Sequence, residues 1–164
     1  MMIETQRLEI IPLTKSQLEL WVRDVTMLER EFHCSYRGEP LEGFFGEIVR
    51  GQLPILEEEP QHYIWHSFWW LIRKNDRVVV GSADFKDVPD RDRQVEIGYG
   101  LSHEYEHNGY MTEAVKAMCD WALRQNGVSH VIAETYKDGH ASQRVLQRCG
   151  FTEVKREETI WWRL

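Results

Sequence analysis

The residue types best suited to chemistry lie in one segment, from Tyr99 to Thr112. A predicted strand that carries Gly98 and Gly100 runs into a loop, and Gly109 then opens the strongest predicted helix. The first turn of a helix leaves backbone N–H groups unpaired, and the helix dipole adds positive potential there. Because phosphate binds such a site without a basic side chain, the segment predicts an anion site. Asn108-Gly109 alone is also typical of an ordinary turn.

The same segment contains a second motif, His103-Glu104-Tyr105-Glu106-His107, which matches the H-E-x-x-H pattern of zinc peptidases. That pattern needs a helix, which places the two imidazoles one turn apart with the glutamate as base. Glycines before the motif and Asn108-Gly109 after it leave fewer than two turns, and a third ligand at the expected spacing is missing. A zinc metallopeptidase is therefore the weaker alternative, and we expect no metal.

The elements that hold this segment follow from the periodicity of apolar residues. Pro12 places the first strand at a sheet edge, and Asn75-Asp76 predicts a tight turn between two antiparallel strands. Helices are predicted from the capping box at Thr14 to Leu28, and over Pro40–Arg50, Thr112–Gln125 and Ala141–Cys149. Strands are predicted over Arg7–Leu13, Tyr63–Arg73, Arg77–Phe85, Gln94–Leu101, Val128–Tyr136, Phe151–Val154 and Thr159–Leu164.

Length and composition limit the class of protein. A chain of 164 residues with 42% hydrophobic residues predicts a single domain over residues 1–164. The net charge of −7 argues against nucleic acid as a partner. Glu4 and Arg7 interrupt the first residues and no apolar run is long enough for a membrane span, so we expect a cytoplasmic protein. The three cysteines are expected to be reduced and packed.

Four short motifs follow one another along the chain: Gly98-Tyr99, Gly109-Tyr110-Met111-Thr112-Glu113-Ala114, Ser142 with Arg144-Val145-Leu146, and Cys149-Gly150-Phe151. Together they resemble the GNAT (GCN5-related) N-acetyltransferases. Thr5-Gln6-Arg7-Leu8 adds a likeness to the branch of the ribosomal-protein alanine N-acetyltransferases. The resemblance covers nearly the whole chain and implies an α/β fold. Its mixed, mostly antiparallel sheet would have flanking helices and would splay between the fourth and fifth predicted strands, with acetyl-CoA bound in the splay.

The resemblance also implies a set of cofactor-binding residues. The pyrophosphate would bind backbone amides of Glu106–Thr112, and the pantetheine would pair like an extra strand with Tyr99–Leu101. Gly98 and Gly100 fit this expectation, because they permit a close backbone approach. The expected contacts to acetyl-CoA are Tyr99, Gly100, Leu101, Glu106, His107, Asn108, Gly109, Tyr110, Met111, Thr112 and Ser142.

The reaction that the resemblance implies is attack of a primary amine on the thioester. Because an ammonium group cannot attack, the enzyme needs a base, and Glu96 and Glu134 are the candidates on the strands beside the splay. A backbone N–H near Gly100 or Leu101 would stabilise the oxyanion. Ser142 or Tyr136 would protonate the thiolate. A solvated carboxylate and a serine that starts a helix are the plain alternatives.

Four positions depart from the family pattern. Glu106 and Met111 stand in the phosphate loop, Gly139 replaces an asparagine, and Leu146 occupies the place of the tyrosine that many relatives use as acid. The sequence thus predicts an acetyl-CoA-dependent N-acetyltransferase acting on a small amine or a protein N-terminus. A catalytically silent acyl-CoA-binding protein is the main alternative. The sequence does not show the oligomeric state, and a homodimer stays open.

Overall fold

The computed structural model describes residues 1–164, which form one open sheet of nine strands with six α-helices around it. The strands are β1 (Ile3–Glu4), β2 (Leu8–Pro12), β3 (Ser35–Tyr36), β4 (Phe68–Arg73), β5 (Val78–Phe85), β6 (Gln94–Leu101), β7 (His130–Tyr136), β8 (Thr152–Arg156) and β9 (Thr159–Arg163). The order across the sheet is β1-β2-β4-β5-β6-β7-β9-β8, and β3 pairs with β5. Only the β3–β5 and β6–β7 pairs are parallel, so the predicted mixed, mostly antiparallel α/β fold is confirmed.

The helices follow the predicted positions with two corrections. The single helix expected from Thr14 to Leu28 is two helices, because Asp24 leaves the helical conformation between them, with φ −155° and ψ 85°. The helix predicted over Pro40–Arg50 begins later and continues to Glu58, since burial of Leu56 holds its second half in place. The helices are α1 (Lys15–Arg23), α2 (Val25–Phe32), α3 (Gly43–Glu58), α4 (Tyr63–His66), α5 (Tyr110–Leu123) and α6 (His140–Arg148).

Two strand predictions also need correction. The residues before Phe68 form α4 rather than the start of a strand, and Trp69 and Trp70 are then fully buried in β4. The strand around Pro12 is not the outermost one, because β1 pairs with its first half through Ile3 and Ile10. Pro12 itself lies beyond that pairing, where its missing N–H costs no ladder hydrogen bond.

The sheet buries both of its faces over its first half. Side chains alternate along each strand, so Trp70 and Ile72 pack toward α1, α2 and α3, whereas Trp69 and Leu71 pack toward the other core cluster, which includes α5. In the second half, α5 and α6 cover one face. No helix has both the length and the apolar character needed to cross a membrane.

The sheet opens between β6 and β7. These strands pair only where Gln94–Glu96 meets His130–Ile132. Beyond that point, Ile97–Leu101 pairs with β5 alone and residues 133–136 of β7 pair with β9 alone. Because each strand follows its antiparallel partner through the twist of the sheet, the two halves diverge. The predicted splay is confirmed at the predicted strands.

Candidate functional site

A cleft of about 280 Å³ lies at this opening. The last residues of β6, the loop before α5 and the exposed side of α6 form its walls. All the residues expected to contact acetyl-CoA line it except Asn108. The lining is Tyr99, Gly100, Leu101, Glu106, His107, Gly109, Tyr110, Met111, Thr112, Ala141, Ser142, Arg144, Val145 and Arg148.

The loop that opens α5 carries a run of free hydrogen-bond donors. No hydrogen bond within the protein uses the backbone N–H of residues 107–112. His107 and Gly109 have positive φ angles of 65° and 79°, which curl the chain just before the helix begins. Successive free N–H groups in such a turn form a concave anion site, and the helix dipole adds to it. This geometry is the one that a diphosphate needs.

Residues far away in the sequence fix this loop. Thr5 Oγ1 donates to Glu113 Oε1 at 2.6 Å, and the Arg7 backbone N–H donates to the same oxygen at 2.8 Å. The Arg7 guanidinium donates to Glu113 Oε2 at 2.7 Å and to the Asn108 carbonyl at 2.9 Å. It also lies 4.4 Å from the centre of the Tyr110 ring. The motif at Thr5 and Arg7 therefore positions the anion loop, a role that the sequence alone did not indicate.

Glu113 is ionised by this arrangement. Burial alone would raise the pKa of its carboxyl, but the hydrogen bonds from Thr5 and Arg7 outweigh burial and hold that pKa below its usual range. A carboxylate in the first turn also suits the positive end of the α5 dipole. The start of α5 is thus anchored by an ion pair, while the loop donors stay free.

The backbone of β6 presents alternate residues to the gap. The Glu96 carbonyl accepts a hydrogen bond from the N–H of Lys86, just after β5, and the Ser102 N–H donates to the Val80 carbonyl in β5. Because bonded positions alternate along an antiparallel ladder, Gly100 also faces β5 and the N–H and C=O groups of Tyr99 and Leu101 face the gap. Of the two N–H groups expected to meet an oxyanion, this geometry favours that of Leu101.

The side chain of Tyr99 crosses the cleft to α6. Its hydroxyl lies 2.8 Å from Ser142 Oγ and 3.1 Å from the Ser142 carbonyl oxygen. Burial raises the pKa of the Tyr99 phenol to about 12, although the hydrogen bond with Ser142 acts in the opposite direction. Tyr99 and Ser142, which were both predicted to contact the cofactor, are therefore hydrogen-bonded to each other through their hydroxyls.

The opposite face of the sheet at the gap is acidic. Glu96, Asp84 and Glu134 lie on this face, with Lys86 as the nearby cation. Burial raises the pKa of the Glu96 carboxyl, Lys86 opposes that shift, and Glu134 and Asp84 add to it. Burial also raises the pKa of Asp84. Glu134 is exposed and accepts a hydrogen bond from Thr159 at 2.6 Å.

Two acidic residues on this face, Asp84 and Glu39, were missed from the sequence. Asp84 packs over Gly98, where an added Cβ would lie 2.8 Å from Asp84 Oδ1. Glu39 reaches the same face from the loop before α3, 3.8 Å from a Cβ built on Gly100. The sequence alone showed that Gly98 and Gly100 leave space on this face. It did not show that Asp84 and Glu39 occupy that space, because those residues belong to other elements.

The H-E-x-x-H motif does not have the geometry of a zinc site. His103–Tyr105 is a single 3-10 turn, Glu106 is extended and His107 is left-handed, so the imidazoles do not share a helix face. His103 instead contacts Glu106 at 3.2 Å. No three His, Cys, Asp or Glu side chains are grouped to hold a metal ion. The metallopeptidase alternative fails on this backbone.

Three of the four departures from the family pattern are accommodated locally. The Met111 side chain is only 6% exposed and packs in the core, and Leu146 is fully buried. The carboxylate of Glu106 is drawn to His103. Cys119 and Cys149 are buried thiols, as expected from a packing role, and the Cys149 Sγ donates weakly to the Thr112 carbonyl.

Comparison with known proteins gives the class to which this fold and cleft belong. The family model described as "Acetyltransferase (GNAT) domain" matches residues 7–152. The chain belongs to the GNAT acetyltransferase family.

Solved structures have the same fold at low sequence identity. The chain superposes along its full length on RimL, a ribosomal L7/L12 alpha-N-protein acetyltransferase in complex with coenzyme A, with a TM-score of 0.72, 15% identity and 97% of that chain covered. The ribosomal-protein-S5-alanine acetyltransferase from Vibrio fischeri gives a TM-score of 0.71 at 19% identity, with 100% of this chain and 96% of that one covered.

Among curated sequences, the chain is 31% identical over 83 residues to the uncharacterized N-acetyltransferase YjdG of Bacillus subtilis (strain 168). That match covers 51% of this chain and 49% of YjdG. YoaA of the same organism is 28% identical over 83 residues, with 51% of this chain and 47% of YoaA covered. The chain spans about half the length of the curated relatives it matches.

Proposed function

We propose that this protein is an acetyl-CoA-dependent N-acetyltransferase that transfers the acetyl group directly to a primary amine. The observation that carries the proposal is the run of free amides at residues 107–112 beside an opened strand pair. The amides would bind the diphosphate, and the gap-facing groups of Tyr99 and Leu101 would pair with the pantetheine as a further strand does. Arg144 and Arg148 line the same cleft and would meet further phosphate charge.

The acceptor would enter from the acidic face. An ammonium group is attracted by Asp84, Glu96 and Glu134, and Glu96 is the base that takes its proton. The neutral amine then attacks the thioester carbonyl, and the developing oxyanion accepts a hydrogen bond from the Leu101 N–H. The carbon–nitrogen bond forms as the carbon–sulfur bond breaks, and Ser142 donates to the departing sulfur.

The acceptor is a small amine or a protein N-terminus. RimL and the Vibrio fischeri protein are named for ribosomal-protein substrates, which favours testing N-terminal peptides first. Cytoplasmic residence and a homodimer remain predictions, as do the roles of Glu134 and Tyr136. Tyr136 is 75% exposed at the end of β7 and does not line the cleft, which makes Ser142 the better candidate for the hydroxyl that bonds the departing sulfur.

The test has two arms with wild-type protein. Thermal unfolding with and without coenzyme A measures donor binding, which should raise the melting temperature because the ligand binds the folded state. Release of free thiol from acetyl-CoA is then followed across a panel of amines and N-terminal peptides. Binding without release from any acceptor would favour the catalytically silent acyl-CoA-binding protein, and absence of binding would refute both.

A further inference from the structure

The cleft contains the hydroxyl pair of Tyr99 and Ser142, and the proposed reaction uses only the Ser142 hydroxyl. Ser142 lies in the first turn of α6, and the Tyr99 phenol reaches its Oγ from β6 at 2.8 Å, a distance at which either hydroxyl can donate. The phenol also lies 3.1 Å from the Ser142 carbonyl oxygen, which can accept its proton. The other phenol in the cleft, that of Tyr110, is already a partner of Arg73 Nη1 at 3.2 Å. The Ser142 hydroxyl can therefore be oriented by Tyr99 from the strand that faces the gap.

The two hydroxyls lie where the sulfur of a bound donor should arrive. The free amides of residues 107–112 come after the end of β6, so the diphosphate would lie beyond Leu101, at the loop. A chain that pairs with β6 then runs back from this loop, its thioester carbonyl reaches the Leu101 N–H, and its sulfur comes beside the hydroxyls of Tyr99 and Ser142. Leu146, on the same helix, is buried and offers no proton.

We propose that Tyr99 is a positioning residue for the leaving group: when the donor is bound, its phenol donates to Ser142 Oγ rather than to the Ser142 carbonyl oxygen, which leaves the Ser142 proton free to bond the sulfur of coenzyme A. The proposal rests on the proposed function, since it needs the donor in this cleft. As the carbon–sulfur bond breaks, its electron pair stays on sulfur and receives this hydrogen bond. One amine proton goes to Glu96 and the other to water, and the thiolate later takes a proton from water.

The surroundings of Tyr99 keep it a donor. Burial raises the pKa of its phenol to about 12 against the opposite effect of the Ser142 hydrogen bond, so the hydroxyl stays protonated at neutral pH. Arg144 and Arg148 on α6 and Glu106 in the loop also line the cleft and carry charge. A hydrogen bond to a charged acceptor is stronger than one between neutral groups, so the pair should stabilise a thiolate more than a thiol.

The test is the acidity of the thiol of bound coenzyme A, which needs no acceptor. Thiolate absorbance is titrated in the complex, with the desulfo-coenzyme A complex as blank. In Tyr99→Phe and in Ser142→Ala the thiol pKa should rise by about one unit relative to wild type, and the double variant should add nothing further. Tyr63→Phe is the matched control, because that phenol has no hydrogen-bond partner and lies outside the cleft.

The outcomes separate the two proposals. If coenzyme A binds but its thiol pKa is the same in wild type and Tyr99→Phe, the role of Tyr99 is refuted while donor binding stands. If the wild type does not bind coenzyme A, the proposed function fails and takes this inference with it. Melting temperatures of each variant check folding. A change in Tm with no change in thiol pKa would make the pair a structural tie between β6 and α6.

Discussion

The carboxylate of Glu96 has the two properties that a base for amine deprotonation requires. It lies at the last paired position of β6 before the gap, and its pKa is raised by burial and by its acidic neighbours. A raised pKa brings the base closer to neutral pH, where proton transfer is most effective. Glu134 is exposed and hydrogen-bonded to Thr159, which makes it the weaker candidate.

Glu96→Gln should lower kcat/KM by about 100-fold near neutral pH and by less than about tenfold above the pKa of the amine, where the acceptor is already deprotonated. The measurement is a pH–rate profile of thiol release. Glu134→Gln is the matched carboxylate-to-amide control. An unchanged profile in Glu96→Gln would exclude Glu96 as the base.

The thermal stability of Glu96→Gln should not fall along with its activity. A raised pKa means that the folded state binds the proton more tightly than the unfolded state. The contribution of Glu96 is therefore favourable at low pH and is lost as pH rises through its folded pKa. The amide avoids that loss, so Glu96→Gln should unfold at the same or a higher temperature than wild type at neutral pH. Lost activity would then not reflect a damaged fold.

At the scale of elements, α5 connects the anion site to the core. Gly109 at its N-terminus and Gly127 after its C-terminus both have positive φ, 79° and 88°. An alanine at either position is strained by about 1–2 kcal/mol. Only Gly109 belongs to the run of free amides, and an added Cβ there would also lie 3.4 Å from Arg7 Nη2.

Gly109→Ala and Gly127→Ala should therefore lose similar amounts of unfolding free energy, about 1–2 kcal/mol each. Only Gly109→Ala should also weaken coenzyme A binding, because it shifts the donors of the loop. Denaturant unfolding measures the first effect, and titration calorimetry with coenzyme A measures the second. Equal affinities for the two variants would contradict the assignment of the diphosphate to this helix start.

The sequence predicted these elements well where a local pattern determines them. Gly98, Gly100 and Gly109 marked the opened strand and the helix start, and alternation over Gln94–Leu101 gave β6 with its observed bounds. The break at Asp24 was missed, because apolar residues keep their helical spacing on both sides of it. The contacts of Arg7 with Glu113 join residues 106 positions apart, and no local pattern reports such a pair.

Over the whole molecule, the sheet would separate the two substrates of the proposed reaction. The cleft between β6, α5 and α6 would take the donor, and the opposite face, with Glu39, Asp84, Glu96 and Glu134, would take the acceptor. The net charge of −7 adds to the field on that face. A cation gains from this field, and dissolved salt screens it beyond about 10 Å at 0.1 M.

The KM of a diamine acceptor should therefore rise several-fold between about 0.02 and 0.3 M NaCl, whereas that of a monoamine of equal length should rise less. Glu39→Gln removes one charge from the face without touching the gap strands, and should reduce the salt dependence for the diamine. Steady-state rates at saturating acetyl-CoA provide the measurement, so that donor binding does not enter. Equal salt dependence for the two amines would show that the carboxylates do not select the acceptor by charge, and Glu96 would then act as a base alone.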